Sequence, residues 1–267
     1  MTEIRSGQSV ELLKRLHILT QDGKLNQDSR RKLKQIYHLF NFIEPLLNEV
    51  VEKKNSISIV DHGAGKSYLG FIIYDLFLKN LKVENKIWSV ETRSELIENS
   101  VKLKDRLGFN NMDFVNVSVE KSNELLPSEI DVVTALHACD TATDDAIDFA
   151  LNKKADYVVL IPCCQAEVAA LLRANKKFSL SNPLVELYRH PIQTREFGSH
   201  LTNVLRCLRL ESYGYDVTVT ELVGFEHSMK NELIIARKKQ NKTGTAGQRI
   251  EALLAEFKIK ELAKRFS

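Results

Sequence analysis

The stretch Ile57-Ser58-Ile59-Val60-Asp61-His62-Gly63-Ala64-Gly65-Lys66-Ser67-Tyr68-Leu69 decides how the rest of the chain is read. A short β-branched apolar run passes into a pair of glycines and then into the first turn of an amphipathic helix. A strand–turn–helix of this kind brings bare backbone close to a ligand. Spacing excludes two familiar glycine loops. A P-loop requires glycine five residues before the glycine of G-K-[ST], and Val60 stands there. The dinucleotide fingerprint requires a third glycine three residues after Gly65, and Tyr68 stands there. An acid followed by G-x-G remains: Asp61, Gly63 and Gly65, with Ala64 between the glycines. Two readings stand at this point, a cofactor loop and a plain glycine turn.

Outward from this stretch, strands and helices alternate. Residues 57–62 read as a first strand and 66–80 as a helix with Leu69, Ile72, Ile73, Leu76 and Phe77 inward. Residues 87–90 form a second strand that ends in Glu91. Ser94 is an expected N-cap and Gly108 an expected stop for a helix over 94–107. Further strands are expected at 114–119, 131–138 and 157–161, with helices at 143–151, 167–174 and 201–212. Residues 176–196, punctuated by Pro183 and Pro191, read as irregular. Residues 217–223 and 233–236 read as an antiparallel strand pair. The alternation argues an α/β fold: a doubly wound, mostly parallel, seven-stranded Rossmann-like sheet.

The ends of the chain differ from this middle. Residues 1–54 read as a helical extension, with apolar spacing over 9–19 and a longer helix over 26–51. Pro45 is expected to kink or divide that helix. Residues 55–238 hold the sheet. Residues 239–267 read as a polar linker followed by an amphipathic helix over 249–266 with a basic end, suited either to docking on the domain or to binding RNA or a partner. With 267 residues, 43% hydrophobic and 27% charged, the chain can bury a full core. A net charge of +3 does not by itself argue for nucleic acid. The N-terminus lacks an apolar signal core, and no apolar run approaches membrane-spanning length. The four cysteines, Cys139, Cys163, Cys164 and Cys207, show no C-x-x-C pair. Reduced thiols and a cytoplasmic setting are the expectation.

Ligands of such sheets bind beyond the carboxyl ends of the strands, where strand order reverses. Asp61, Glu91, Val119, His137 and Cys163 should therefore share one rim. Glu91, with Thr92 beside it, is placed to accept hydrogen bonds from both hydroxyls of a ribose; its alternative is a loop acid facing solvent. Val119 or Glu120 falls where an adenine would lie. His137 either touches the cofactor or does not. Asp140 either faces the substrate or caps the following helix. Cys163, in Pro162-Cys163-Cys164, is either a nucleophile, part of a metal site with His137 and Cys139, or a thiol that shapes the pocket. The last is preferred, and no metal is expected. No [DN]-P-P-[YFW] box, which would present a backbone acceptor to an amine, follows the fourth strand.

The segments D-H-G-A-G-K-S-Y-L-G-F, A-L-H-A-C-D-T-A-T and I-P-C-C, in that order, resemble the S-adenosylmethionine-dependent methyltransferases with a Rossmann-like sheet. More closely they resemble a methyltransferase-like family that includes tRNA ribose 2′-O-methylating enzymes. The resemblance covers about residues 55 to 238, and the long helix around Lys34 and Gln35 is a possible part of it. It implies S-adenosylmethionine as cofactor, Asp61, Gly63, Gly65, Glu91 and His137 as its contacts, and an RNA substrate. Ser67 and Asp140 stand where those relatives often carry glycine. The rival readings are a binding module that keeps the fold but transfers nothing, and a methyltransferase for protein or small molecules. A nicotinamide enzyme is disfavoured by Tyr68.

Overall fold

The computed structural model describes residues 4–136, 138, 141–162, 165–175, 182–222, 232–239 and 244–266. Two helices precede the sheet: α1 (Val10–Arg15) and α2 (Gln27–Lys54). The Ser9 side chain caps α1 by accepting the Leu12 N–H, and Asn26 caps α2 by accepting the Ser29 N–H. Leu33, Ile36, Phe40, Ile43, Leu47 and Val50 form the buried stripe of α2. Pro45 does not divide the helix, which runs unbroken through it. Pro45 and Asn41, whose carbonyl loses its usual donor, are both exposed, so water can satisfy that carbonyl.

The sheet begins with β1 (Ser56–His62), α3 (Tyr68–Leu76), β2 (Glu84–Val90), α4 (Ser94–Leu107), β3 (Met112–Val115) and α5 (Val119–Leu125). It continues with β4 (Val132–Leu136), α6 (Thr141–Asn152), β5 (Tyr157–Ile161), α7 (Glu167–Asn175), α8 (Pro191–Ser212), β6 (Tyr215–Glu221) and β7 (Glu232–Lys238). The strand order is β3-β2-β1-β4-β5-β7-β6, with β7 antiparallel to both its neighbours. The expected seven-stranded, mostly parallel sheet is therefore the observed one. Order reverses between β1 and β4, which are direct neighbours. Ile57 and Ile59 of β1 join the apolar cluster under α1, α2 and α3, while Val60 joins the cluster with α6 and the end of α8. The helical extension is tied down by polar contacts as well: the buried Asp75 carboxylate of α3 accepts the Ser9 N–H at 3.0 and 3.2 Å.

Three sequence expectations fail locally, each for an identifiable reason. The third strand ends at Val115, and Val119 opens a helix instead of closing a strand. The alternation Val115-Val117-Val119 imitates a strand, but the Ser118 side chain accepts the Lys121 N–H and starts α5. Helix α8 begins at Pro191, ten residues before its expected start. Pro191 sits in its first turn, where a missing N–H costs nothing, and the Gln193 side chain accepts the His190 N–H. The C-terminal helix is broken: α9 (Ala246–Glu256) ends at Phe257, Lys258 takes φ +54°, and α10 (Ala263–Phe266) follows a short 3-10 turn. Ile250, Leu254, Phe257, Ile259, Leu262 and Phe266 nevertheless bury one face against α7 and α8. Among the described residues no helix is long and apolar enough to cross a membrane.

Candidate functional site

Beyond β1 the backbone alternates in hand. Gly63, Gly65 and Ser67 take φ of +60°, +57° and +54°. Glycine adopts this region without penalty, which explains the G-x-G spacing. A Cβ on Gly63 would lie 3.3 Å from the Ala138 Cβ, so the loop is packed against the end of β4 by its own bareness. The Ala64 N–H donates to the Val90 carbonyl at 3.1 Å and extends the β1–β2 ladder by one bond. The next donor, Gly65 N–H, goes to Glu91 Oε2 at 2.9 Å. Helix α3 then lies close on β2 through Gly70, where a Cβ would meet Ser89 Oγ at 2.9 Å. Tight helix–strand contact of the kind a third fingerprint glycine gives is thus supplied two residues after Tyr68.

Ser67 has no such freedom. It holds the left-handed conformation with a side chain, and its buried hydroxyl has no hydrogen-bond partner among the described residues. Both features oppose folding. Ser67→Gly is expected to raise the unfolding free energy by about 0.5–1 kcal/mol, after allowance for the extra freedom of glycine in the unfolded chain. Urea unfolding measures it; a lower midpoint in the variant would show that the hydroxyl is needed.

Glu91 is buried and crowded with donors. Its Oε1 accepts the N–H groups of Thr92 and Arg93, both at 3.0 Å, and Arg93 Nε at 2.9 Å. Oε2 accepts Arg93 Nη2 at 3.1 Å besides the Gly65 N–H. Burial works against the charge, but the Arg93 guanidinium and the backbone donors outweigh it and hold the carboxyl at about 2. Glu91 is therefore not a loop acid facing solvent: it is built into the glycine loop, and Arg93 covers its outer edge. Since a carboxylate already occupies the Gly65 N–H, this turn does not offer that donor to a phosphate, unlike the loops that cradle pyrophosphate.

The two residues that end β1 point to opposite faces of the sheet. Asp61 is buried; it accepts the Thr134 hydroxyl at 2.7 Å and is also reached by the Gly70 N–H. Burial outweighs both and raises its carboxyl to about 7. His62 is fully buried with its ring edge-on to Phe149 at 4.4 Å. Neither ring nitrogen has a partner among the described residues, and burial lowers it to about 3.

Asp61, Gly63, Ala64 and Gly65 line a hollow of about 240 Å³ together with Tyr68, Leu69, Arg93 and Leu136. The first four were expected at the site from sequence and are brought together around this one hollow. It did not single out Arg93, Tyr68 or Leu136. Tyr68, Leu69 and Leu136 also wall a second, mostly apolar slot of about 230 Å³ that runs along α2 to Lys32 and Gln35. Thr92 stands beside Glu91 and donates its N–H to it. Val119 is half-buried at the start of α5 and packs in the cluster that contains Val90. His137, Cys139, Asp140, Cys163 and Cys164 lie outside the described residues. Cys207 is free, and burial pushes its thiol up to about 12, so it stays protonated.

A parallel sheet that reverses order beside a glycine loop, with an acid closing the neighbouring strand, defines the Rossmann-like methyltransferase class of site. The chain belongs to the methyltransferase-domain family, which matches its residues 31–171. It is 24% identical over 232 residues to the glutathione S-transferase C-terminal domain-containing proteins of Bos taurus and Homo sapiens. Those alignments cover 80% of this chain and 34% of the relatives, so the chain spans about a third of their length. Among solved structures, an S-adenosylhomocysteine-bound methyltransferase of Podospora anserina aligns over 89% of both chains with 13% identity and a TM-score of 0.49. An rRNA methylase of Streptococcus thermophilus covers 69% of this chain and 88% of its own, with 10% identity and a TM-score of 0.44.

Proposed function

We propose that the chain is an S-adenosylmethionine-dependent methyltransferase whose acceptor is RNA. The observation that carries the cofactor is the glycine loop closed by Glu91 rather than by a phosphate. A nucleoside without phosphates suits a turn whose free N–H is already held by a carboxylate. The bare Gly65, where an added Cβ would come no nearer than 3.7 Å to Arg93 Nη2, and the 240 Å³ hollow give the room. Glu91 is the acceptor for ribose hydroxyls, which take the places of Arg93 Nε and Nη2. Arg93 yields from its position because its side chain is 66% exposed. Asp61, with no cationic partner among the described residues, would balance the ammonium end of the cofactor. The slot toward Lys32 and Gln35 would hold its carboxylate near the Lys32 ammonium, which pairs with Asp28 at 2.7 Å.

Bound there, S-adenosylmethionine supplies an electrophilic sulfonium methyl. The chain has to align the acceptor and take one proton. Leu69, Leu136 and the Tyr68 ring wall the hollow. Tyr68 stays a neutral phenol because burial raises it. Asp140 and Cys163 remain the residues proposed for the acceptor side, as do His137 and Val119 for the cofactor side. Support for RNA comes from the resemblance to tRNA ribose 2′-O-methylating enzymes. The absence of an [DN]-P-P-[YFW] box disfavours only adenine N6 as the acceptor atom.

Isothermal calorimetry with S-adenosylmethionine tests the cofactor. Saturable binding is expected, weakened at least about tenfold, or ~1.4 kcal/mol, by Gly63→Val and by Glu91→Ala. Binding that neither change disturbs would remove the site. Transfer of labelled methyl from the cofactor to total RNA, read against total protein, tests the acceptor. Label in protein alone would replace RNA, and binding without transfer would make the chain a binding module.

A further inference from the structure

A cleft of about 390 Å³ opens on the other side of Tyr68, between the end of α1 and the length of α4. Its side chains include Arg15, His17, Lys66, Lys102 and Arg106, and among the described residues no carboxylate lines it. Glu11 stands nearby and is shared between Arg15 at 3.0 Å and Arg106 at 3.8 Å. Lys66 and Lys102 are exposed and make no ion pair among the described residues. Four permanent cations thus face one carboxylate, in a protein whose whole net charge is only +3. The cations come from three separate segments: α1, the glycine loop and α4. Only the fold assembles them.

We infer that this cleft is the phosphate-binding groove that leads an RNA strand to the methyl-transfer site. The inference rests on the RNA reading above and names the surface that serves it. Lys66 and Tyr68 connect the cleft to the glycine loop, and Tyr68 is shared with the cofactor hollow. A phosphate held against Lys66 is therefore next to the reaction centre. One phosphate monoester carries about two negative charges and would leave the cleft positive. Successive phosphodiesters, one charge each, match cations spread along the axis of α4. Lys102 and Arg106 are four residues apart on that helix and face the same way. Backbone contacts of this kind position a strand without reading its sequence.

The test is fluorescence anisotropy with a labelled single-stranded RNA, using the full chain over a range of salt. Lys102→Gln with Arg106→Gln is the informative double variant, because both residues are exposed and neither belongs to the glycine loop. The slope of log affinity against log salt should fall by about 1.4, the effect of two lost single-strand phosphate contacts. Calorimetric binding of S-adenosylmethionine should be unchanged in the double variant, which also shows that it is folded. Lys260→Gln with Lys264→Gln, on the basic C-terminal turn, should leave the slope as it is. An unchanged slope in the α4 variant, or a reduced slope in the C-terminal one, overturns the groove while leaving RNA as the acceptor. Absence of RNA binding by the unaltered chain overturns the RNA reading itself. Inorganic pyrophosphate serves as the small-phosphate probe. If the α4 variant loses pyrophosphate binding but keeps its RNA slope, the cleft is a subsite for a small phosphate and the proposal is wrong.

Discussion

Acidification from about pH 7 to about pH 4 is expected to destabilise Asp61→Asn and to stabilise His62→Leu, each by roughly 3 kcal/mol relative to the unaltered protein. The signs follow from the two shifts. The Asp61 carboxyl moves from 3.8 to about 7 on folding, so between those values the folded chain holds a proton that the unfolded chain has released. Its contribution to stability is complete below about pH 4 and disappears as pH rises through 7. His62 moves the other way, from 6.5 to about 3. Between those values the unfolded chain binds the extra proton, so stability is lost as pH falls below about 6.5. Each effect has a slope of about 1.4 kcal/mol per pH unit. Across their shared window the slopes oppose, and the pair contributes a nearly flat profile. Removing either residue uncovers the other. Urea unfolding of the three proteins at several pH values between about 4.5 and about 8 gives the difference profiles. If both variants run parallel to the unaltered protein, the two side chains are not buried as described.

The same pair shows what the sequence could and could not convey. The run Ile57 to His62 was legible as a strand and Asp61 as a residue at its rim, because β-branched spacing and the following glycines are local signals. Burial is not local. That His62 turns onto Phe149, while Asp61 turns to Thr134, depends on which face each helix covers. Glu91 was legible by position, at the end of the second strand. Its hold on the Gly65 N–H and its cover by Arg93 were not, since a carboxylate in sequence does not say which donors will reach it.

Other misses have equally specific causes. Gly70 looks like an ordinary helix glycine until Ser89 and Met112 are placed against it. Pro191 looks like a breaker and is in fact a first-turn proline. Val119 sits in a strand-like alternation that a single serine cap overrides. The basic cleft was invisible because charge was summed along the chain, where Lys66, Lys102 and Arg106 are diluted by acids that end up elsewhere. In each case a short-range rule was correct about the residue and silent about its neighbour in space.

The second large effect lies away from the cavities, where α6 meets α8. Asp144 and Arg206 are joined by two hydrogen bonds of 2.8 Å, with side chains only 4% and 1% exposed. The pair belongs to a network. Asn203 Oδ1 accepts from Arg206 Nη1 at 3.3 Å and from Gln165 Nε2 at 2.9 Å, and Gln165 Oε1 accepts the Ser199 hydroxyl at 2.7 Å. Asn203 also donates to Glu232 of β7. Gln165 follows shortly after Pro162, so the network anchors the chain where β5 hands over to α7. Asp144→Ala is expected to cost about 3–5 kcal/mol, because it takes a doubly hydrogen-bonded carboxylate away from a buried guanidinium that cannot lose its charge. An exposed pair such as Arg189 with Glu186 should be worth less than about 1 kcal/mol. Asp144→Leu combined with Arg206→Met should recover most of the loss, since the buried guanidinium goes with its carboxylate and the site stays filled. Denaturant unfolding of the two single variants and the double gives the coupling directly. A cost below about 1 kcal/mol for Asp144→Ala, or a double variant as unstable as the sum of the singles, would mean that the charge is solvated after all. The pair would then belong to the surface rather than to the joint that holds β5, β7 and α8 together.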